Sequence, residues 1–408
     1  MKYEKLIKYV DTLESGARPK GGASEFSDES IPSLGAEHLN DDGGFKFDKI
    51  KYIPESFYNQ MDSGLIKTND ILIVKDGATT GKISHVNKSF PFQKAAINEH
   101  VFLLRLNEEK AYPSFIFHYL KTETGQKEIM KDFRGATVGG ISRRFMELVN
   151  VPVVSLQDQI RIADILSRTE SLIAKRKESI RLLDDLVKSV FLDMFGDPVR
   201  NEKGWDTFKG DHYSALLTVG VVVKPASYYT ENGVIALRSL NIKPNYIDLN
   251  NLVYFSEEAS NGVLGKSVLH EGDVVVVRTG VTGTAAVIPK ELDGVNCIDL
   301  IIVRPKKNIL NPQYLAFLLN SDRGKTLVAS REVGGIQKHF NIGAIKDIPF
   351  PLPPVELQNN FASVVEKVEA TKVKYRESLS ELEALYCSLS QRAFRGELNY
   401  NISNVVNN

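Results

Sequence analysis

Beyond Ser155 apolar side chains recur every three or four residues: Ile162, Ile165, Leu172, Ile180, Leu183, Val187, Val190 and Met194 form one stripe, with Thr169 and Arg176 lying in it. Such steps average near 3.5 residues, the period of a coiled-coil seam, and predict a helix of roughly 40 residues and about 60 Å. Ser155 is placed to cap its start, Asp158 falls in the first turn where the helix dipole favours an acid, and Pro152 lies just upstream. Gly196 and Pro198 in "GDPVRNEKGW" end it. A second stripe, Phe361, Val364, Val368, Thr371, Tyr375, Leu379, Leu382, Tyr386, Leu389 and Ala393, predicts a second helix of the same kind. A lone helix cannot bury such a stripe, so the two are expected to pair antiparallel within the chain.

Ahead of each helix the rhythm changes to short β-branched strands, such as "DILIVK" (Asp70–Lys75) and "DVVVVR" (Asp273–Arg278), Gly-rich turns and one or two helices. These regions are copies. "PSFIFHYLKTETGQ" from Pro113 answers "PQYLAFLLNSDRGK" from Pro312, and "GGISRRFMELVNVPVVSLQDQ" from Gly139 answers "GGIQKHFNIGAIKDIPFPLPPVELQ" from Gly334. Pro113 and Pro312, Gly125 and Gly324, and Gln159 and Gln358 are each 199 residues apart, whereas Asp70 and Asp273 are 203 apart. Drift of this size is what surface-loop insertions produce. "IPSLGAEHLN" and "VIALRSLNI" are weaker partners. The expected architecture is α+β with an internal pseudo-twofold duplication: two tandem α/β domains separated by two long helices that form an intramolecular antiparallel coiled coil. Its parts are a first domain at residues 1–154, a central helix at 155–198, a second domain at 199–353, a C-terminal helix at 354–398 and a polar tail at 399–408.

Composition mainly excludes. With 51 basic and 51 acidic residues the net charge is zero, which argues against a sequence-blind polyanion binder. No apolar run approaches the ~20 residues that span a bilayer, and the first thirty residues lack a signal-peptide core, so a soluble cytoplasmic protein is expected. Cys297 and Cys387 are too few for a disulfide framework, and the seven histidines show no metal-ligand spacing. "GATTGK" (Gly77–Lys82) is one residue short of a phosphate loop and carries Ile83 where a Mg2+-binding hydroxyl belongs. Neither a nucleophile elbow, a zinc-protease helix, a dinucleotide turn nor the tetrapeptide of amino-methyltransferases is found. The chain reads as a binding protein.

Its candidate contacts are the repeated pieces. "VKDGATTGK" and "VRTGVTGT" each join a strand to a Gly-rich hydroxyl loop. Lys75, Thr79, Thr80 and Lys82, with Arg278, Thr279 and Thr282 in the copy, offer donors and charge suited to phosphate or base edges. A tight hairpin turn explains the same glycines and threonines. "GGISRRF" and "GGIQKHF" share their frame but place Arg143 and Arg144 where the copy has Gln337, Lys338 and His339. Arginine suits guanine, glutamine suits adenine, and either can grip phosphate.

The junction "MFGDP", the helix lead-in "PLPPVELQ" and the closing "AFRGEL", spread over nearly the whole chain, resemble the specificity subunit of Type I restriction-modification systems. The resemblance implies a non-catalytic subunit that binds double-stranded DNA. Each target-recognition domain would read one half of a split site, and the helices would set the gap and dock two modification subunits. Those partners would carry S-adenosylmethionine and flip the target adenine; a translocating, ATP-hydrolysing restriction subunit is an optional further partner, so S-adenosylmethionine, ATP and Mg2+ are expected on partners and no cofactor on this chain. Base reading is expected at the loop Lys75 to Lys82 with Arg143 and Arg144, and at Arg278 to Thr284 with Gln337 to His339. Arg18, Lys20, Lys224 and Arg238 are further candidates. "GVTGT" lacks one residue and the lysine of "GATTGK", which puts equal roles for the two loops in doubt. A coiled-coil adaptor with two protein-binding domains is the alternative.

Overall fold

A computed structural model describes residues 2–24, 30–135, 139–330 and 340–398. The chain divides into two compact units, residues 1–176 with 378–408, and residues 177–377. Both long helices pass from one unit to the other, at Leu156–Phe195 and Val355–Arg395.

In the first unit four antiparallel strands lie in the order Val10–Ser15, Val101–Leu106, Ile71–Val74, Ile83–His85. Beside them stands a three-stranded sheet, Lys51–Pro54, Ser30–Leu34, Ala96–Ile97. The second unit repeats the main sheet as Ser214–Val219, Leu300–Pro305, Val274–Val277, Ala285–Val287. Its side sheet gains a strand: Tyr229–Thr230, Val253–Phe255, Val234–Leu237, Asn296–Cys297. Ile71–Val74 and Val274–Val277 are buried on both faces, which explains their unbroken apolar sequence.

The copies agree in detail. A bulge interrupts Val10–Ser15 opposite Arg105, and one interrupts Ser214–Val219 opposite Arg304. Each arginine forks onto a buried aspartate, Arg105 Nε and Nη2 to Asp70 at 2.8 and 2.7 Å, and Arg304 Nε and Nη2 to Asp273 at 2.8 and 2.7 Å. The aspartates that open "DILIVK" and "DVVVVR" are therefore scaffold. So are the glutamines. Gln159 Oε1 accepts from the Tyr112 amide at 2.8 Å, and Gln358 Oε1 accepts from the Asn311 amide at 2.8 Å. Each ties a long helix to the residue just before its domain's Pro-headed helix, Pro113–Lys121 or Pro312–Asn320. Gly125 and Gly324 sit where an added Cβ would strike the carbonyl oxygens of Tyr119 and Leu318, so the next helix can start only with glycine there.

Ser155 caps the first long helix, its hydroxyl accepting from the Asp158 amide at 3.1 Å. Gly196, at φ +77°, ends it, and the Trp205 indole donates to the Phe195 carbonyl at 2.9 Å. Early residues of one long helix meet late residues of the other: Ile162, Ala163 and Leu166 share a core with Ala393 and Phe394 in the first unit, and Val187, Phe191 and Phe195 share one with Phe361, Val365 and Val368 in the second. That is the antiparallel pairing. The buried strip differs from the sequence-based seam, however. Leu172 is 52% exposed, while Ala163, Leu166, Phe191, Phe195, Val365 and Phe394 are buried. Each helix must pack against its own domain as well as against the other helix, and this double demand turns the buried strip toward the domain. Among the described residues, no helix is long and apolar enough to cross a membrane.

Candidate nucleic-acid interface

One end of each main sheet gathers most of the repeated loops. In the first unit Val74 pairs with Val101, so the residues just beyond, Lys75 and His100, are neighbours, and the Lys75 amide donates to the His100 carbonyl at 2.8 Å. Gly77 then turns at φ +99°, and the chain returns as Ile83–His85. The Gly139–Ile141 strip closes over this turn: the Gly77 amide donates to the Gly139 carbonyl at 3.2 Å and the Ile141 amide to the Lys75 carbonyl at 2.8 Å. The start of the repeated passage from Gly139 is thus a clamp on the Gly-rich turn.

Side chains at this end form a chain in which acidic and basic groups alternate. Arg18 pairs with Glu99, Glu99 lies 3.4 Å from His100 Nε2, His100 Nδ1 lies 2.6 Å from Asp76, and Asp76 lies 3.7 Å from Lys75. Lys75 also stands over the Phe102 ring at 5.7 Å. Glu99 Oε2 is buried without a hydrogen-bond partner among the described residues. Sequence reasoning found the two cations of this chain, spanned Asp76 within the loop Lys75 to Lys82 without singling it out, and missed Glu99 and His100. The missing signal was strand register, which brings residues 76 and 100 side by side.

The second unit builds the same end with other groups. Val277 pairs with Leu300, Arg278 follows, and Gly280 again turns at φ +99°. Arg278 Nη1 donates to Asp299 at 2.7 Å, and the Thr279 hydroxyl donates to the other Asp299 oxygen at 3.1 Å. Arg278 Nε is buried without a partner among the described residues. The Phe340 amide donates to the Arg278 carbonyl at 3.0 Å, the bond that Ile141 makes in the first unit. Gln337, Lys338 and His339 lie outside the described residues.

The remaining candidates are dispersed. The Thr80 hydroxyl is spent on the Gly77 and Gly139 carbonyls at 2.7 and 3.3 Å. Thr79, Thr80 and Lys82 line an open cleft of about 350 Å3 with Asp41, Lys121 and Gln126. There Lys82 pairs with Asp41 at 2.6 Å and holds that carboxyl below its ordinary range. Arg143 Nη1 donates to the Leu13 carbonyl at 2.9 Å, whereas Arg144 and Lys20 are exposed. Thr282 is half-buried in its turn, and Lys224 is exposed at φ +44°. Arg238 Nη2 donates to the Asn251 carbonyl at 2.5 Å. Burial pushes the Cys297 thiol up, which keeps it protonated and inert. Among the described residues no His, Cys, Asp or Glu cluster could hold a metal ion.

Two stretches of the chain, residues 12–182 and 262–384, match the pattern of the Type I restriction modification DNA specificity domain. The chain belongs to that family. It is 24% identical to the Type I restriction enzyme EcoKI specificity subunit of Escherichia coli K12, over 96% of this chain and 88% of that one. The Type I restriction-modification S subunit from M. genitalium has the same fold, with a TM-score of 0.56, 14% identity and 96% of both chains covered. A chain solved for the complex assembly and conformational transition of a type I R-M system gives a TM-score of 0.54 at 17% identity, with 97% of this chain and 98% of that one covered. Family membership identifies the two copies as DNA specificity domains and sets the adaptor reading aside.

Proposed function

We propose that this chain is the DNA-reading subunit of a Type I methyltransferase or restriction complex, each domain reading one half of a split site and the paired helices setting the gap and seating two modification subunits. One observation carries the reading: the two sheet ends share register and turn, and each accepts an amide at the carbonyl of the cation that opens the turn, yet they present different polar groups, as two readers of unlike half-sites require. The direct contacts are drawn from Arg18, Lys20, Lys75, Arg143 and Arg144 at the first end and from Lys224, Arg238, Arg278, Thr279 and Thr282 in the second domain. Residues 337–339 join them in the second domain. Thr79, Thr80 and Lys82 serve the first domain from the adjoining cleft.

In this reading S-adenosylmethionine, ATP and Mg2+ belong to partner subunits, the adenine is flipped into a partner, and the assembly works in the cytoplasm beside the DNA. Net neutrality fits, because the partners share the phosphate contacts that a lone reader would need. Replacing residues 199–353 by the matching domain of a relative tests the division of labour. The methylated motif should change in one half alone; change in both halves or in neither would refute it.

A further inference from the structure

Superimposing the registers of the two main sheets aligns Lys75 with Arg278, Asp76 with Thr279 and His100 with Asp299, since each pair holds the same place relative to Val74 and Val101 or to Val277 and Leu300. The connection into the central strand is one residue longer in the first domain. Ile97 pairs with Leu34 and Cys297 with Leu237, and from there Val101 lies four residues on but Leu300 three. Asn98 and Ile298 both donate their amides back to that neighbouring strand, which makes Glu99 the added residue.

A cross-strand contact survives at the aligned positions while its chemistry is inverted. In the first domain the acid is on the turn, Asp76, and touches His100 at 2.6 Å. In the second the acid is on the facing strand, Asp299, and touches Thr279 at 3.1 Å. Both domains keep a cation beside that acid, Lys75 or Arg278. A pair serving the fold alone has no need to change sides, because the aspartate–arginine fork deeper in each sheet is kept atom for atom. Each end also holds one buried polar atom without a partner among the described residues, Glu99 Oε2 in the first and Arg278 Nε in the second. Such unmatched buried polar atoms are uncommon in folded proteins; His85, Asp132, Tyr213 and Arg238 hold others.

We infer that this cross-strand pair, Asp76 with His100 and Thr279 with Asp299, is a further base-reading contact of each domain, and that each carboxylate accepts from the exocyclic amino group of a cytosine or adenine in its half-site. This rests on the DNA reading proposed above. A carboxylate is repelled by phosphate and gains only where a base edge offers a donor, as cytosine N4 and adenine N6 do in the major groove. The neighbouring cation orients the acid and offsets the repulsion from the backbone phosphates. Moving the acid from turn to strand shifts the acceptor relative to the groove, so the two domains demand the amino group at different places.

The test is methylation by the complete complex on DNA varied one base pair at a time. Asp76→Asn keeps the size and the bond to His100 but removes the charged acceptor. It should lower methylation at the preferred first half-site by about tenfold or more and relax the preference at one position there, with the second half-site unchanged. Asp299→Asn should do the converse. The double variant Asp76→Thr with His100→Asp installs the second domain's arrangement in the first and should move the preferred amino-bearing position, so the inference does not hang on one substitution. Unchanged base preference at every position, or a uniform loss accompanied by a lower melting temperature, overturns it and leaves DNA reading intact. If the unmodified complex methylates no split motif, the DNA reading itself fails, and this inference with it.

Discussion

Where the long helices meet the first domain, His118 is buried between Ser167 on the first helix, 2.9 Å from Nε2, and Tyr386 on the second, 3.2 Å from Nδ1. Lys121 and Glu170, 2.6 Å apart, stand beside it. The residue 199 positions later is Phe317, which meets the ring of Phe361 edge-on at 5.2 Å, and around Phe361 stand Phe191 at 5.4 Å and Phe195 at 5.5 Å. One backbone thus supports a hydrogen-bonded junction in one copy and an aromatic one in the other. Either solution meets the requirement of a close-packed interior, by filling volume or by satisfying both ring nitrogens. They differ in what they make the junction sensitive to. Burial lowers the His118 imidazole to about 3 and, with His118 adding to the effect, the neighbouring His85 to about 4.

The comparison breaks hardest at the aromatic junction. Phe361→Ala removes a fully buried ring and should cost about 3–5 kcal/mol. Native-state hydrogen exchange should show the loss in residues 177–377 alone, and equal loss of protection in both units would refute the independence of the junctions. Next come the repeated forks, which sharpen the comparison by predicting sameness. Asp70→Ala and Asp273→Ala each strand an arginine, and because both arginines are partly exposed the cost should sit near the low end for a broken buried pair, about 3 kcal/mol. Denaturant midpoints of the two variants should match.

Acid has the most gradual effect, spread over several pH units. A histidine whose folded pKa is depressed stays neutral in the folded protein while the unfolded chain takes up a proton near pH 6.5. Its contribution to stability is therefore present above that pH and lost as pH falls, at about 1.4 kcal/mol per pH unit. For His85 the loss runs down to about pH 4 and for His118 to about pH 3. His118→Phe, which borrows the residue of the second copy, should remove about half of the combined slope of the two histidines between pH 6.5 and 4. Melting temperatures across that range would show an unchanged slope if His118 were not its source.

The long helices, their caps and the duplication were legible in the sequence because each depends on local spacing. Ser155, Gly196 and the 199-residue offset needed no tertiary knowledge. Which face of each helix is buried was not legible: Leu172 fits the seam as well as Leu166 does, and only contact with the domain separates them. The candidate site was half legible for a similar reason. Basic residues beside glycine turns stand out singly, whereas Asp76 and His100 acquire meaning only when strand pairing joins positions 24 residues apart. Charge counting, too, hides a site in which acids and bases alternate.

The first unit takes residues from both ends of the chain, while the second is a single uninterrupted stretch. Phe394, almost the last described residue, packs against Phe115 and Tyr119 at 5.4 and 5.3 Å. During synthesis from the N-terminus, at the pace of several residues per second, the domain begun first keeps an unfilled core until the segment carrying Phe394 has been made. The domain begun second is completed before it. Losing the segment that carries Ala393 and Phe394 therefore injures the domain that comes first in sequence and spares the one that comes second.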